Sequence, residues 1–321
     1  LGSVSGPINW FLPAPVSPDW RLLAIVEEVL LPSVEDPVPE ASIQSLMAGD
    51  QAFSMPPCTW PKGFSSDGSM LLLDAWEVVD IFPQCSPDNA PGEVDGRTRV
   101  VDLATGDVVL DLGDRPVVGS GNAFNPPGVF DADRYLAINV GFELVEIHDV
   151  VTGELVAAIQ VEGDLPLSVA FDPTGRYLAV GGQNSHAWVV DVEALVGGAS
   201  VEEAMVMFEE VGSGGVAHVA LGPGGVLATA GHDPNIRLWD IHSGNVLHEL
   251  GKAPDVPRPV AFSPEGDLLY VDGDMDHGHV VRRFPLDAER LVELAETRVT
   301  RDLTEEECER YVPDSNQVPC P

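Results

Sequence analysis

FDPTGRYLAVGG, residues Phe171–Gly182, carries the pattern from which the rest of the chain can be read. An aromatic residue is followed by a small polar one, Pro, any residue and Gly, and then by an apolar run. The Pro-x-Gly step supplies turn dihedrals that most residues adopt only under strain. The run after it has the composition of a strand. The phrase recurs as FSSDGSMLLL from Phe64, LGPGGVLATAG from Leu221 and FSPEGDLLYVDG from Phe262. Looser copies are VSPDWRLLAIVEE from Val16 and FNPPG from Phe124, the latter followed after an insertion by RYLAINVG. The six starts lie 41 to 60 residues apart, which marks a structural repeat.

Each copy continues in the same way. A further strand ends in Asp, a turn comes next, and another short apolar strand closes the unit. Examples are IRLWDIHSGNVLHEL from Ile236, TRVVDLATGDVVLDL from Thr98, VEIHDVVTGELVAAI from Val145 and AWVVDVEALVGG from Ala187. Runs such as YLAV and LLLD are apolar at consecutive positions, as in a strand covered on both faces. One four-stranded antiparallel sheet per ~45 residues cannot bury both faces alone, whereas radially stacked sheets do so and leave only short edges. The expectation is therefore an all-β fold, a β-propeller of six four-stranded blades over residues 1–290. A seventh blade requires that the N-terminal ~60 residues hold a degenerate one. INWF, Ile8–Phe11, is the candidate strand for closing the ring. Residues 291–321 form a short helical tail packed on the propeller, with a capping box at Thr304–Glu307 and a stop at Pro313.

Composition narrows the function. Of 321 residues, 52 are acidic and 16 basic, a net charge of −36. That excludes a general nucleic-acid binder, which needs clustered Lys and Arg, and disfavours adhesion to anionic membranes. No apolar stretch reaches the ~18 residues of a membrane span, so no membrane insertion is expected. The first residues lack the basic end and apolar run of a signal peptide, and Leu1 reads as the start of a processed chain or excised domain. The acidity has two readings: a solvated surface that confers solubility, or a face onto which a basic partner is steered. Cys58, Cys85, Cys308 and Cys320 allow three pairings, of which Cys58–Cys85 and Cys308–Cys320 are the simplest. Their contexts, PPCTWP, FPQCSPD and QVPCP, are turns and a tail. Disulfides there imply an oxidising, extracytoplasmic or secreted location, and free thiols a cytoplasmic one.

The stretch LATAGHDPNIRLWDIHSG, Leu227–Gly244, resembles a WD repeat, with Trp239-Asp240 as the signature dipeptide. The resemblance implies structural roles: Asp233 as the tight-turn aspartate, Trp239 as the buried aromatic of its blade, Asp240 as its signature partner. The other units depart from it. Trp188 stands three residues before Asp191, His148-Asp149 and Val101-Asp102 replace Trp-Asp, and no Gly-His opens a repeat. The family's side-chain network is thus expected to be incomplete in most blades. The tail from Leu294, LAETRVTRDLTEEECERYVPDSNQVPCP, is similar to the ending of large actinobacterial signalling proteins, in which an ATPase, cyclase or activator module precedes WD repeats. That likeness implies the sensory or interaction end of something longer, or a stand-alone relative.

Catalytic motifs are scarce. The sequence has no Gly-x-Ser-x-Gly elbow, no His-Glu-x-x-His helix and no phosphate loop. His218, within VAHVAL, reads as a core or channel residue. Asp272, Asp274 and Asp276 alternate in DGDMDHGH, a hairpin turn whose hard oxygens suit Ca2+. His277 and His279 would suit Zn2+ or nickel instead, and an exposed acidic hairpin is the other reading. A metal there predicts a metal-dependent rise in melting temperature that Asp274→Ala abolishes. No other cofactor is expected. The leading reading is a non-enzymatic propeller that binds a protein partner or small ligand at the mouth of its channel, as the sensor or scaffold of a signalling protein. One alternative is a hydrolase or lyase with Asp272, Asp274, His218 or His232 converging in the channel. A third reading is a self-assembling extracellular subunit.

Overall fold

The computed structural model describes residues 22–29, 38–45, 51–57, 60–65, 68–74, 98–113, 128–131, 134–140, 143–209, 214–216, 218–231, 235–250, 260–263, 266–273 and 280–286. INWF, the four cysteines, His232, Asp233, the turn 274–279 and the tail 287–321 lie outside the described residues.

Within them the strands form six antiparallel sheets in chain order, each a meander of sequential neighbours. Sheet 1 holds β1 (Leu22–Val29), β2 (Val38–Ser45) and β3 (Gln51–Pro57). Sheet 2 holds β4 (Trp60–Phe64), β5 (Met70–Asp74), β6 (Thr98–Asp102) and β7 (Val108–Gly113). Sheet 3 holds β8 (Gly128–Asp131), β9 (Tyr135–Val140), β10 (Leu144–Asp149) and β11 (Leu155–Gln160). Sheet 4 holds β12 (Pro166–Phe171), β13 (Tyr177–Gly182), β14 (Ala187–Asp191) and β15 (Met205–Phe208). Two short helices, α1 (Val192–Val196) and α2 (Val201–Ala204), interrupt it before β15. Sheet 5 holds β16 (His218–Gly222), β17 (Val226–Ala230), β18 (Ile236–Asp240) and β19 (Val246–Leu250). Sheet 6 holds β20 (Val260–Phe262), β21 (Leu268–Gly273) and β22 (Val280–Pro285).

The first strands β4, β8, β12, β16 and β20 pack against one another in that order. First strands are therefore innermost and fourth strands outermost, which is propeller geometry. Among the described residues the core is divided into apolar layers that alternate with sheets. Ile147 and Ile159 of sheet 3 meet Leu178, Val180 and Val190 of sheet 4. Val189 and Phe208 of sheet 4 meet Leu221, Leu227 and Trp239 of sheet 5. Because Leu178 and Val180 face one neighbour and Ala179 the other, a middle strand is apolar at consecutive positions. Leu71, Leu72 and Leu73 are all completely buried for this reason, each contributing about 2 kcal/mol of burial. The fourth strands, by contrast, expose Val108, Val109, Leu155, Val206, Met207, Val246 and Leu247 at the rim.

Two readings of the sequence need correction. The third repeat turns at Phe130, not at Phe124: Phe130 pairs with Leu136 across the first hairpin as Phe171 pairs with Leu178. FDADRY makes that turn one residue shorter than FDPTGRY and without its Pro and Gly, so no insertion is needed. The segment after Asp191 is also not a strand. Its Asp accepts from the Ala194 amide and caps α1, and no Gly stands in the place that would close a tight hairpin.

Candidate functional site

In each meander the 1–2 and 3–4 connections fall at one end of the sheets and the 2–3 and 4–1 connections at the other. The first end is built by repetition. Asp102, Asp149 and Asp240 each end a third strand and accept, through Oδ1, from the amides two and three residues on. The distances are 2.8 and 2.8 Å at Ala104 and Thr105, 2.9 and 3.0 Å at Val151 and Thr152, and 2.9 and 2.7 Å at His242 and Ser243. Gly106, Gly153 and Gly244 then take φ of 77°, 74° and 71°, a left-handed step, and donate back to the Asp carbonyl. Burial pushes the Asp149 carboxyl up, but the Thr152 amide, the Arg134 guanidinium and the Val151 amide outweigh it and hold it below the usual range. The Ser243 amide, foremost, does the same for Asp240. The 1–2 turns have their own cap: Asp172 Oδ1 accepts from the Tyr177 amide at 2.7 Å, and Ser65 Oγ from the Met70 amide at 2.8 Å. Both arginines here are committed, Arg134 to Asp149 and Arg176 to Asp191.

At the other end the described residues include a polar network between the loops of sheets 3 and 4. Asp164, in the loop entering sheet 4, is buried with its side chain 1 % exposed. Its Oδ1 accepts from the Leu165 and Asn184 amides at 2.8 Å each, and its Oδ2 lies 3.0 Å from His186 Nδ1. Asn184 Nδ2 donates to the Gly163 carbonyl at 2.7 Å, and the Gly163 amide donates to Glu143 of sheet 3 at 3.2 Å. The chain of bonds thus ties the 2–3 loops of sheets 3 and 4 through the loop between the sheets. Gly182 makes room for it, since a Cβ there would stand 2.5 Å from Asp164 Oδ2 and 2.7 Å from the Trp188 ring. Ser185, at φ 69°, is the one described non-glycine residue in the left-handed region; such conformations persist where the surroundings enforce them. It delivers His186 to the surface with its ring 5.8 Å from that of Trp188 and its side chain 36 % exposed. With Nδ1 engaged by the carboxylate, Nε2 is the ring atom left for a partner.

The residues singled out in sequence fall elsewhere. Trp239 is buried between sheets 4 and 5, and its indole N–H donates to Thr229 Oγ1 at 3.0 Å. Asp240 caps its turn, and Asp233 lies outside the described residues. His148 is buried 2.8 Å from Glu146. His218 is buried in β16. Asp272 lies in β21 opposite Val281, with its side chain outside the description, as are Asp274 and Asp276. Of the four groups the channel-enzyme reading requires, only His218 has a described side chain. The repeat pattern does not point to Asp164, Asn184 or His186. A signal for the loop is spacing: Asn184 stands seven residues before Asp191, as Asp233 stands seven before Asp240.

No family model matches the chain. An uncharacterised WD repeat-containing protein of Synechocystis sp. is 26% identical over 135 residues, 41% of this chain and 36% of that protein. The match thus spans about a third of the relative's length. A chain in a crystal structure of the mitotic checkpoint complex superposes with a TM-score of 0.57 at 14% identity, covering 90% of this chain and 81% of that one. The chain folds as a WD-repeat β-propeller. The propeller's departures from the WD phrase, such as Val101 and His148 in place of Trp, change what packs between blades and leave the Asp cap intact. No described helix is long and apolar enough to cross a membrane.

Proposed function

We propose that this propeller is a non-enzymatic interaction module whose docking surface is the loop end of sheets 3 and 4. The observation that supports the reading is the Asp164–His186 pair: a buried carboxylate, itself fixed by two amides, orients a half-exposed imidazole on rigid strand ends. Such pre-organisation lowers the ordering cost of binding. The partner is a protein, and the surplus of acidic residues steers a basic one towards the surface. In the fuller form of the proposal the propeller is the sensor or scaffold of an actinobacterial-type signalling protein, outside the cytoplasm if its cysteines are bridged. Fold alone does not fix function, so the test is comparative. Proteins captured from the source organism by the wild type and by the turn-end variant Thr105→Ala should include a set lost when His186 and Gln183, an exposed residue of the same loop, are changed together in Gln183→Ala/His186→Ala. An identical set from all three proteins removes the loop end as the docking surface.

A further inference from the structure

Tyr135 and Tyr177 hold the same place in sheets 3 and 4. Each opens a second strand opposite the Asp that ends the third, Asp149 or Asp191. Each is covered by the arginine before it, whose guanidinium carbon lies 5.0 Å from the ring centroid. What meets the two tyrosines from the next sheet differs. In the wedge between sheets 4 and 5 it is His242, two residues past Asp240. Its imidazole makes a T-shaped contact with Tyr177, the centroids 6.0 Å apart and the planes at 73°. Gly225 leaves room for it, since a Cβ there would stand 2.9 Å from His242 Nε2.

In the wedge between sheets 3 and 4, the residue two past the strand-end Asp is Glu193 of α1. Its carboxylate lies 3.5 Å from Arg176 Nε, and its side chain is 74 % exposed. Among the described residues no second ring meets Tyr135. A pocket of about 430 Å³ lies there instead, between Arg134 and Tyr135 on one side and Arg176, Glu193 and Val196 on the other. A simple anion suits it poorly. Both guanidinium groups already face carboxylates, Asp149 and Asp191, and Glu193 adds a third negative charge against two positive ones. A ring suits it better: the Tyr135 ring and the Arg176 guanidinium offer it faces, and Glu193 accepts from a ring N–H. The neighbouring wedge shows which ring such a tyrosine takes.

We propose that this pocket is a second docking site, which takes a histidine side chain of a partner protein between Tyr135 and Glu193, as His242 stands against Tyr177. It lies at the turn end and does not depend on the docking surface proposed above.

The test uses the full chain and N-acetyl-histidine N-methylamide, observed by saturation-transfer NMR at neutral pH. Binding is expected in the millimolar range, weakened about fivefold by Tyr135→Leu and about threefold by Glu193→Gln. The leucine keeps an apolar contact with the layer between sheets 3 and 4, and Glu193 is exposed enough for its variant to fold unchanged. His242→Ala vacates the seat beside Tyr177 and should gain a second site for the same probe. The absence of that site overturns the choice of occupant. No saturation transfer up to about 10 mM, or binding unchanged in both pocket variants, overturns the site itself. Equal binding of the lysine analogue would leave only the net charge of −36 as the attraction. Equal binding of the phenylalanine analogue would remove the part given to the ring N–H. Either result also overturns the proposal.

Discussion

The two ends of the propeller are held by hydrogen bonds of similar quality but different history. At the turn end, Asp102, Asp149 and Asp240 repeat one cap, with the same two amides and the same left-handed glycine. At the loop end, Asp164, Asn184 and His186 form a network with no counterpart among the described residues of the other sheets. A repeated interaction is what each unit needs in order to fold. The loop-end network, described at one wedge, can be shaped by a partner without altering the shared cap. The boundary between the two falls within the network itself, since Asp164 is buried and His186 half exposed.

That boundary can be tested in stability. The largest effect is expected from Asp164→Ala, which takes the acceptor from two part-buried amides and from His186 and should cost about 2–3 kcal/mol in urea unfolding. It would also abolish capture of the loop-end partner set. Asp149→Ala should cost about 1–2 kcal/mol and leave capture intact; a loss of capture there would break the distinction between the ends. The acid limb of stability comes from the same caps. The carboxyls of Asp149 and Asp240 are held below their usual range in the fold. Their contribution is thus present above the unfolded value near ~4 and lost as pH falls through the lower folded values. A melting series from pH 7 to pH 3 should show that decline, and Asp149→Asn should flatten it. His186→Gln, which keeps a donor for the buried Asp164 Oδ2, should change stability least, by under about 0.5 kcal/mol, while lowering partner affinity at least about tenfold. A His186→Gln protein destabilised as much as Asp149→Ala would make the imidazole a structural group.

Much of the fold is legible because its turns demand particular residues. FDPTGRYLAV announces a hairpin since Asp172 and Gly175 are needed to close it. FDADRYLAIN makes an equivalent hairpin without Pro or Gly, so its turn is set by the pairing of Phe130 with Leu136 rather than by local chemistry. The helix after Asp191 is hidden because the same Asp serves equally as a strand-end cap and a helix N-cap. The loop-end network is the least legible. Glu143, Gly163, Asp164 and Asn184 come together across two sheets only after the strands have stacked, and no spacing in the chain encodes that.

The exposed fourth strands have a consequence for colloidal behaviour. Val108 and Val109, Leu155, Val206 and Met207, and Val246 and Leu247 lie on four outermost strands, whose free edges are templates for strand addition between molecules. At neutral pH the net charge of −36 keeps molecules apart. Near the isoelectric point, about 4.2, that repulsion vanishes while the edges remain. The protein should therefore precipitate there by edge-to-edge pairing, with light scattering rising before the near-UV signal of Trp239 is lost. The acidity that solubilises the chain is also what keeps its open rim from polymerising.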